Sequence, residues 1–381
     1  MSDVVVLFAG GGTGGHLYPA LALADALTEL RPDVHPVFAG AERGIEARVL
    51  PEREVEHFLL PVKGIARGVP AWRNLDVMPA LFSSLATVRR WVHRVRPAAI
   101  VVTGGYAGGP AGLVAAMSGT PLVLQEQNAV PGATTRVLSR WATQVHIAYP
   151  EAGAGLPSRA QAVVRVSGNP IQPPVARDAA DARASLGLDT DRPTVLVVGG
   201  SQGSAALNAA TLEAVGSSAS DPGYQLLWST GPRHIETVTA ALVEAGAPTW
   251  VHATPYIDDM PSALAAADVA ISRAGAMATS ELLAWGVPAI LVPLPTAAAD
   301  HQARNAEALA EAGCAIHAPE SELDGPRLDT EVRSLLGDED RRSRMRDAAR
   351  ARALPDAARV IARDIASLLP PPSDAPQGRA A

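Results

Sequence analysis

Residues 7–27 read LFAGGGTGGHLYPALALADAL. A short apolar run ends in five glycines within six positions, residues 10–15 with only Thr13 between them, and His16 follows at once. Glycine weakens helices and strands alike, so such a run needs a physical reason. Strand, Gly-rich turn and helix in that order make the opening βα unit of a parallel sheet. There the free N–H groups and the positive end of the helix dipole favour an anion such as a phosphate. Tight packing of strand against helix would explain the same glycines without any ligand.

The design occurs twice. TVLVVGGSQGSAALNAATLEAV, residues 194–215, again runs strand, Gly-rich turn, helix, about one domain length further on. Between the copies lies VSGNPIQPPVARDAADARASLG, proline-rich and then polar, which reads as a linker hinged near residues 169–175. Apolar runs at 4–9, 98–103, 121–126, 194–199, 268–272 and 288–293 are nearly free of polar residues, as parallel strands covered on both faces are. Segments of helix length separate them, so the fold class is α/β, with two Rossmann-like halves.

Composition bounds the function. A length of 381 residues fits two domains, with 48% hydrophobic and 19% charged residues. The formal net charge of −7 argues against a general nucleic-acid binder. The single cysteine, Cys314, excludes a disulfide framework and a cysteine metal cluster. The start of the chain lacks a basic, signal-like n-region before its apolar run. Residues 97–125 carry no charge and have the length of a membrane span, but glycine pairs and prolines divide them into strand, loop, helix and strand.

Every loop of interest follows a strand, where ligands bind in open parallel sheets. Neither Gly-rich turn matches the dinucleotide fingerprint, and GGSQGS lacks the Lys-Ser/Thr of a Walker loop. After the strand at 268–272 a helix is expected to begin near Ala276, with Glu281 in its first two turns, placed to accept hydrogen bonds from a pair of hydroxyls or merely to complement the helix dipole. Asp300, Gln302 and Asn305 are polar groups at a further helix start, suited to sugar hydroxyls or to capping. DTD at 189–191 precedes its strand and DED at 338–340 lies in a charged helical region, so no metal site is expected.

Six stretches in one order carry a resemblance: FAGGGTGGHLYPALALADAL, TGGYAGGPAGLVAAMSGTPLVLQEQNAVPGATTRVLSRWAT, VVGGSQGSAALN, YIDDM, SRAGAMATSELLAWGVPAILVPLP and DHQARNAEAL. From about residue 5 to residue 365 the chain resembles the MurG family, which adds N-acetylglucosamine to the muramyl-pentapeptide lipid intermediate of peptidoglycan synthesis. The resemblance implies a GT-B glycosyltransferase fold, two Rossmann-like domains with parallel sheets facing a cleft. It implies an N-terminal acceptor and membrane-facing domain over 1–170, a UDP-sugar-binding domain over 171–350, a C-terminal helix over 351–368 crossing back to the first domain, and a disordered tail over 369–381.

The family's roles carry over where residues match. Thr13, Gly14 and Gly15 resemble the loop that touches the donor, and Asn128 an asparagine near the donor sugar. Ser201 matches the serine at the diphosphate, reached on this reading at a helix N-terminus. Ile257 matches the residue whose backbone meets the uracil, and Gln302 a glutamine on the sugar. Ala276, Met277, Ala278, Thr279, Ser280 and Glu281 match the segment at uracil, ribose and phosphate, with Glu281 on the ribose hydroxyls. The acceptor pyrophosphate is expected against Gly14, Gly15, Gly104, Gly105 and Tyr106. Gln125 stands where many members have histidine, Gln172 where many have arginine, and Ala278 where some have threonine.

The implied reaction is attack by the muramyl 4-hydroxyl on the anomeric carbon of UDP-N-acetylglucosamine, with inversion and no cofactor. It needs a base. His16, with a reference pKa of about 6.5, is the first candidate, and Glu126 the rival. The implied partners are UDP-N-acetylglucosamine, the polyprenyl-pyrophosphoryl muramyl-peptide lipid, an anionic membrane surface and cell-wall synthesis proteins. The implied location is the cytoplasmic face of the cell membrane, held peripherally. Residues 63–96 suit such a surface: Lys63, Arg67, Arg73, Arg89, Arg90, Arg94 and Arg96 stand against one acid, Asp76, with Leu81, Phe82, Leu85 and Trp91 interleaved. An ordinary amphipathic helix against the sheet explains them equally. Two other classes stay open: another GT-B enzyme, such as a glycolipid glycosyltransferase or a UDP-N-acetylglucosamine 2-epimerase, and a non-catalytic nucleotide-sugar-binding subunit.

Overall fold

The structure, a computed structural model, describes residues 4–62, 64, 77–217 and 221–372. It divides into two units, residues 1–171 with 356–381 and residues 172–355. Lys63, Arg67, Arg73 and Asp76 of the basic stretch lie outside the described residues, as does the tail from 373.

The first unit begins β1 (Val4–Gly11), α1 (Gly14–Leu30), β2 (Val34–Ala41), α2 (Glu46–Glu52), β3 (His57–Leu60), α3 (Val77–Val95), β4 (Ala99–Gly104), α4 (Gly105–Ser118), β5 (Leu122–Glu126), α5 (Ala133–Leu138), β6 (Gln144–Ile147) and β7 (Val164–Val166). All seven strands are parallel, in the order β3-β2-β1-β4-β5-β6-β7. Side chains alternate between the faces of the sheet. Leu7, Ala9, Val37, Ile100 and Val102 pack under α3 and α4, against Val88, Trp91, Ala107 and Ala111. Val6, Phe8, Phe38, Ala99 and Val101 pack under α1, against Leu17, Leu21, Leu23 and Leu27. Both faces are covered at β1 and β4, which is why these two strands are almost wholly apolar. Trp91 is buried on Phe58, with ring centroids 5.4 Å apart, and Leu85 packs against the same core. Two of the four apolar residues expected at a membrane surface therefore belong to the interior.

The second unit holds α6 (Ala179–Ser185), β8 (Thr194–Val198), α7 (Ala205–Ser217), β9 (Gln225–Ser229), α8 (Ile235–Glu244), β10 (Val251–Thr254), α9 (Met260–Ala266), β11 (Val269–Ser272), α10 (Ala276–Trp285), β12 (Ala289–Leu291), α11 (His301–Glu311), β13 (Ala315–His317), α12 (Gly325–Gly337) and α13 (Glu339–Arg352). Its six parallel strands run β10-β9-β8-β11-β12-β13. In both sheets the strand order reverses beside the first strand, at β1/β4 and at β8/β11, where such folds bind ligands.

The C-terminal stretch differs from expectation. Residues 351–368 are not one helix: α13 ends at Arg352, Pro355 interrupts, and α14 (Ala357–Ala366) follows. α14 belongs to the first unit, where Ile361, Ala362 and Ile365 join the core beneath α1. Leu369, expected in a disordered tail, is buried in that core, and Arg31 Nη2 donates to Pro370 O at 3.0 Å. Gln144 Nε2 donates to Asp364 O at 3.0 Å, and Arg165 pairs with the Asp364 carboxylate. Replacing Ile361, fully buried, with alanine should destabilise the first unit by about 2–5 kcal/mol. Denaturant unfolding followed by a probe in that unit measures this, and a change below about 1 kcal/mol would mean that α14 is not part of the core.

Candidate active site

The glycine run proves to be three structures. Gly10 and Gly11 end β1, Gly12 makes the turn with φ +97°, and Gly14 and Gly15 form the first turn of α1. Gly14 therefore has a helical backbone, and the left-handed conformation falls on Gly12. The register between β1 and β4 slips after Ala9, so that Thr103 bulges out and Gly10 pairs with Gly104. Thr103 packs under Gly10, where a Cβ would stand 2.0 Å from its Oγ1, and that hydroxyl donates to His16 O at 2.7 Å. Thr13 stands at the N-cap, yet its hydroxyl meets His16 Nδ1 at 3.2 Å instead of a helix N–H. If Nδ1–H donates to Thr13, the basic nitrogen of the imidazole is Nε2. The ring lies over Gly104 (φ +102°), where a Cβ would be 2.8 Å from His16 Cδ2.

Glu126 ends β5, buried, with its carboxylate spent on the loop beyond: Oε2 accepts from Gly132 N at 2.9 Å and Oε1 from Asn128 N at 3.2 Å. Beside it Gln125 Nε2 donates to Asn169 Oδ1 (3.0 Å), Asn169 Nδ2 to Gln127 O (3.1 Å), and Gln127 Nε2 to Thr103 O (2.7 Å). This buried amide chain joins the ends of β4 and β5 to the 167–171 segment, so Gln125 fills a structural place. Tyr106, on the first turn of α4, is half exposed beside Gly12.

In the second unit the GGSQGS turn differs from expectation in one respect. α7 starts at Ala205, so Ser201 sits on an exposed turn four residues before the helix and not at its N-terminus. The cap is Ser204, whose Oγ accepts from Leu207 N at 3.3 Å. Gly203 (φ +73°) closes the turn with a bond from its N–H to Gly200 O at 2.9 Å. Arg273, buried, holds the neighbouring strand ends: Nη2 donates to Ser204 Oγ at 2.6 Å, and Nη1 to Val292 O and Pro293 O. Asn305, also buried, donates to Ala274 O at 3.1 Å and steadies the turn before α10.

Gly275 caps α10. Along its first turns Ala276, Met277, Ala278, Ser280 and Glu281 are partly exposed, whereas Thr279 is buried with its hydroxyl on Gly275 O and Ala276 O. The Ile257 side chain is buried and anchors the loop after β10. Gln302 Oε1 accepts from Leu294 N at 3.0 Å. Burial pushes the Glu281 carboxyl up to about 7.

The two units match the N-terminal domain of glycosyltransferase family 28 over residues 6–147 and its C-terminal domain over residues 194–361. The UDP-N-acetylglucosamine--N-acetylmuramyl-(pentapeptide) pyrophosphoryl-undecaprenol N-acetylglucosamine transferase of Salinibacter ruber is 43% identical over 95% of this chain and 96% of its own. The chain belongs to the MurG family of family 28 glycosyltransferases. The transferase of the same name from Chlorobium luteolum is 40% identical, over 95% of this chain and 98% of its own. The crystal structure of Acinetobacter baumannii MurG matches with a TM-score of 0.75 and 29% identity, covering 96% of this chain and 99% of that one.

As a MurG-family chain it carries functional-looking residues that reading the sequence missed. Glu46, Thr103, Gln127, Asn169 and Arg273 are buried and bonded to the turns. Their partners lie far along the chain, so no local spacing announces them.

The raised carboxyl of Glu281 has a stability consequence. Its folded pKa of about 7 exceeds the ordinary 4.5, so the folded state keeps a proton that the unfolded state has lost between those values. Stability is full below 4.5 and falls as pH rises through 7, by roughly 3 kcal/mol for a shift of this size. Glu281→Gln should therefore gain on the wild type across that window in denaturant titrations at stepped pH. A pH-independent difference between the two proteins would show that the Glu281 carboxyl is not raised.

Proposed function

We propose that this chain transfers N-acetylglucosamine from UDP-N-acetylglucosamine to the 4-hydroxyl of a polyprenyl-pyrophosphoryl N-acetylmuramyl-pentapeptide, with inversion, at the cytoplasmic face of the membrane. The observation that carries the reading is the 43% identity, over 95% of the chain, to a transferase whose name is this reaction. The hydroxyl attacks the anomeric carbon in line while the bond to the UDP oxygen breaks. The proton leaves the attacking oxygen and the diphosphate takes the bonding electrons.

In this reading the first unit supplies the base and the second holds the donor. His16 takes the proton. Glu126 is the weaker choice, because both its oxygens already accept hydrogen bonds from the loop, from Gly132 N and Asn128 N. Ser201 and the N–H groups of its turn meet the leaving diphosphate, where preorganised donors stabilise growing charge. The exposed start of α10 and the Ile257 backbone take the nucleoside, and Glu281 the ribose hydroxyls. Gln302 and Asn128 take the sugar. Thr279 contributes only through the helix backbone, since its hydroxyl is engaged.

Turnover of labelled UDP-N-acetylglucosamine by the purified chain with a synthetic muramyl-pyrophosphoryl lipid tests this directly; hydrolysis or epimerisation of donor alone would sink it. His16→Ala should lower kcat about 10²- to 10⁴-fold with UDP affinity unchanged, and the limb of the pH–rate profile that falls toward acid should vanish. If the limb and most of kcat survive, His16 only orients the loop.

A lipid-linked acceptor lies in a bilayer, so the reading also requires a docking surface. No helix among the described residues is long and apolar enough to cross a membrane. On the first half of α3, Phe82 is 63% exposed and Met78 44%, and Arg89, Arg90 and Arg94 are exposed further along it. Apolar side chains beside cations suit an anionic lipid surface. Phe82→Glu should weaken binding to phosphatidylglycerol vesicles by about tenfold or more, as loss of one buried aromatic predicts, while sparing kcat on a short-chain soluble acceptor. Equal vesicle binding by both proteins would remove α3 from the docking surface.

A further inference from the structure

Beneath the turn that carries Thr13 and His16 lies a carboxylate with no part in the reaction described so far. Glu46, the first residue of α2, is fully buried. Its Oε1 accepts from Gly12 N at 2.6 Å, and its Oε2 has no hydrogen-bond partner. Three glycines from three different segments make room for it. A Cβ on Gly11 at the end of β1 would stand 2.6 Å from Oε1, one on Gly40 in β2 2.6 Å from the Glu46 Cβ, and one on Gly44 in the following loop 1.7 Å from Oε2. Burying a carboxylate without a cation is costly, and here burial pushes the carboxyl above its ordinary range against the pull of the N–H groups of Glu46 itself, Gly12 and Ala41. A methionine or leucine at this place would fill the volume at less cost. The acid must therefore do something that volume alone does not.

What it does is set by its partner. Gly12 holds the left-handed φ of +97° at the pivot between β1 and α1. Its N–H, pointing inward, would be an orphaned donor without Glu46. Thr13, Gly14, Gly15 and His16 follow within one turn of helix, and Thr13 touches the His16 ring. Fixing the Gly12 peptide fixes where that turn leaves the strand. We infer that Glu46 is a positioning residue for transfer: it clamps the Gly12 peptide and so holds the Thr13–His16 turn in its reactive arrangement. This rests on the proposed role of His16, but the clamp itself is a property of the fold.

Two variants separate the clamp from simple packing. Glu46→Gln keeps an acceptor for Gly12 N–H; Glu46→Met fills similar space and offers none. In the full-length protein, amide exchange of the segment around Gly12–Leu17 should speed up about tenfold or more in Glu46→Met and stay near wild type in Glu46→Gln. In the transfer assay Glu46→Met should lose about 10- to 100-fold in kcat, the cost of a misplaced catalytic turn, with the dissociation constant of UDP unchanged. Glu46→Gln should rescue kcat to within about threefold of wild type. Unchanged exchange in Glu46→Met, or equal kcat losses in the two variants, would overturn the inference. Should Glu46→Met fail to fold, Gly12→Ala strains the same pivot from the backbone side, and wild-type kcat in that variant would overturn it equally. The exchange measurement does not depend on the reaction, so absence of transfer in the wild type would count against the proposed function and leave the clamp to be judged by exchange.

Discussion

Two strands can remain paired past the point where each turns into a helix only if no side chain stands between them. At the switch point of the first sheet, a Cβ on Gly105 would lie 1.8 Å from Gly11 O. The pairing of Gly10 with Gly104 and the bridge from Gly11 to Gly105 exist because those residues are glycines. They bring the starts of α1 and α4 together, and with them Thr13, His16 and Tyr106. The second unit meets the same constraint: a Cβ on Gly203 would stand 2.0 Å from Thr230 O, and one on Gly231 2.3 Å from Gln202 O. Gly105, Gly203 and Gly231 thus serve contacts of backbone with backbone, whereas Gly10, Gly11 and Gly104 make room for the side chains of Thr103, Glu46 and His16. Open space lies instead at Gly200, with nothing within 4 Å of its notional Cβ, and at Gly15, whose nearest neighbour is Thr13 Oγ1 at 3.8 Å. On the proposed reading, a phosphate approaches the chain at such positions.

Close backbone approach leaves polar groups to be satisfied, and buried side chains do so one by one. Thr103, Gln127 and Asn169 serve the turns of the first unit, Arg273 and Asn305 those of the second. In a low-dielectric interior each such bond is strong and each orphan costly, so a network of this kind holds a turn in one arrangement. The loops that face solvent at the strand ends are therefore rigid where they leave the sheets, the condition for preorganised transition-state contacts.

The architecture was legible because its signals are local. Apolar runs between Gly-rich turns mark β1, β4, β5, β8 and β11, and the repeated strand–turn–helix design marks two units. What escaped was set by tertiary structure. The division of the glycines into strand, pivot and helix depends on a bulge at Thr103, which no propensity foretells. Ser201 was expected at a helix start because the Gly-rich turn after β8 runs straight into a helix in the sequence, and nothing local shows that three further residues, Gln202, Gly203 and Ser204, belong to the turn. Trp91 looked like a surface aromatic because its partner, Phe58, lies far back in the chain. Of the site itself, the motif residues at the turns were visible, and the buried residues that brace them were not.

On the proposed reading the donor nucleotide binds the second unit and the first supplies the base. Hydrogen exchange of the full-length protein with and without UDP tests that division most directly. Protection is predicted at residues 200–204, at the Ile257 loop and over the first turns of α10, with the Gly12–His16 turn little changed. Protection confined to the β1–α1 turn of the first unit would contradict it.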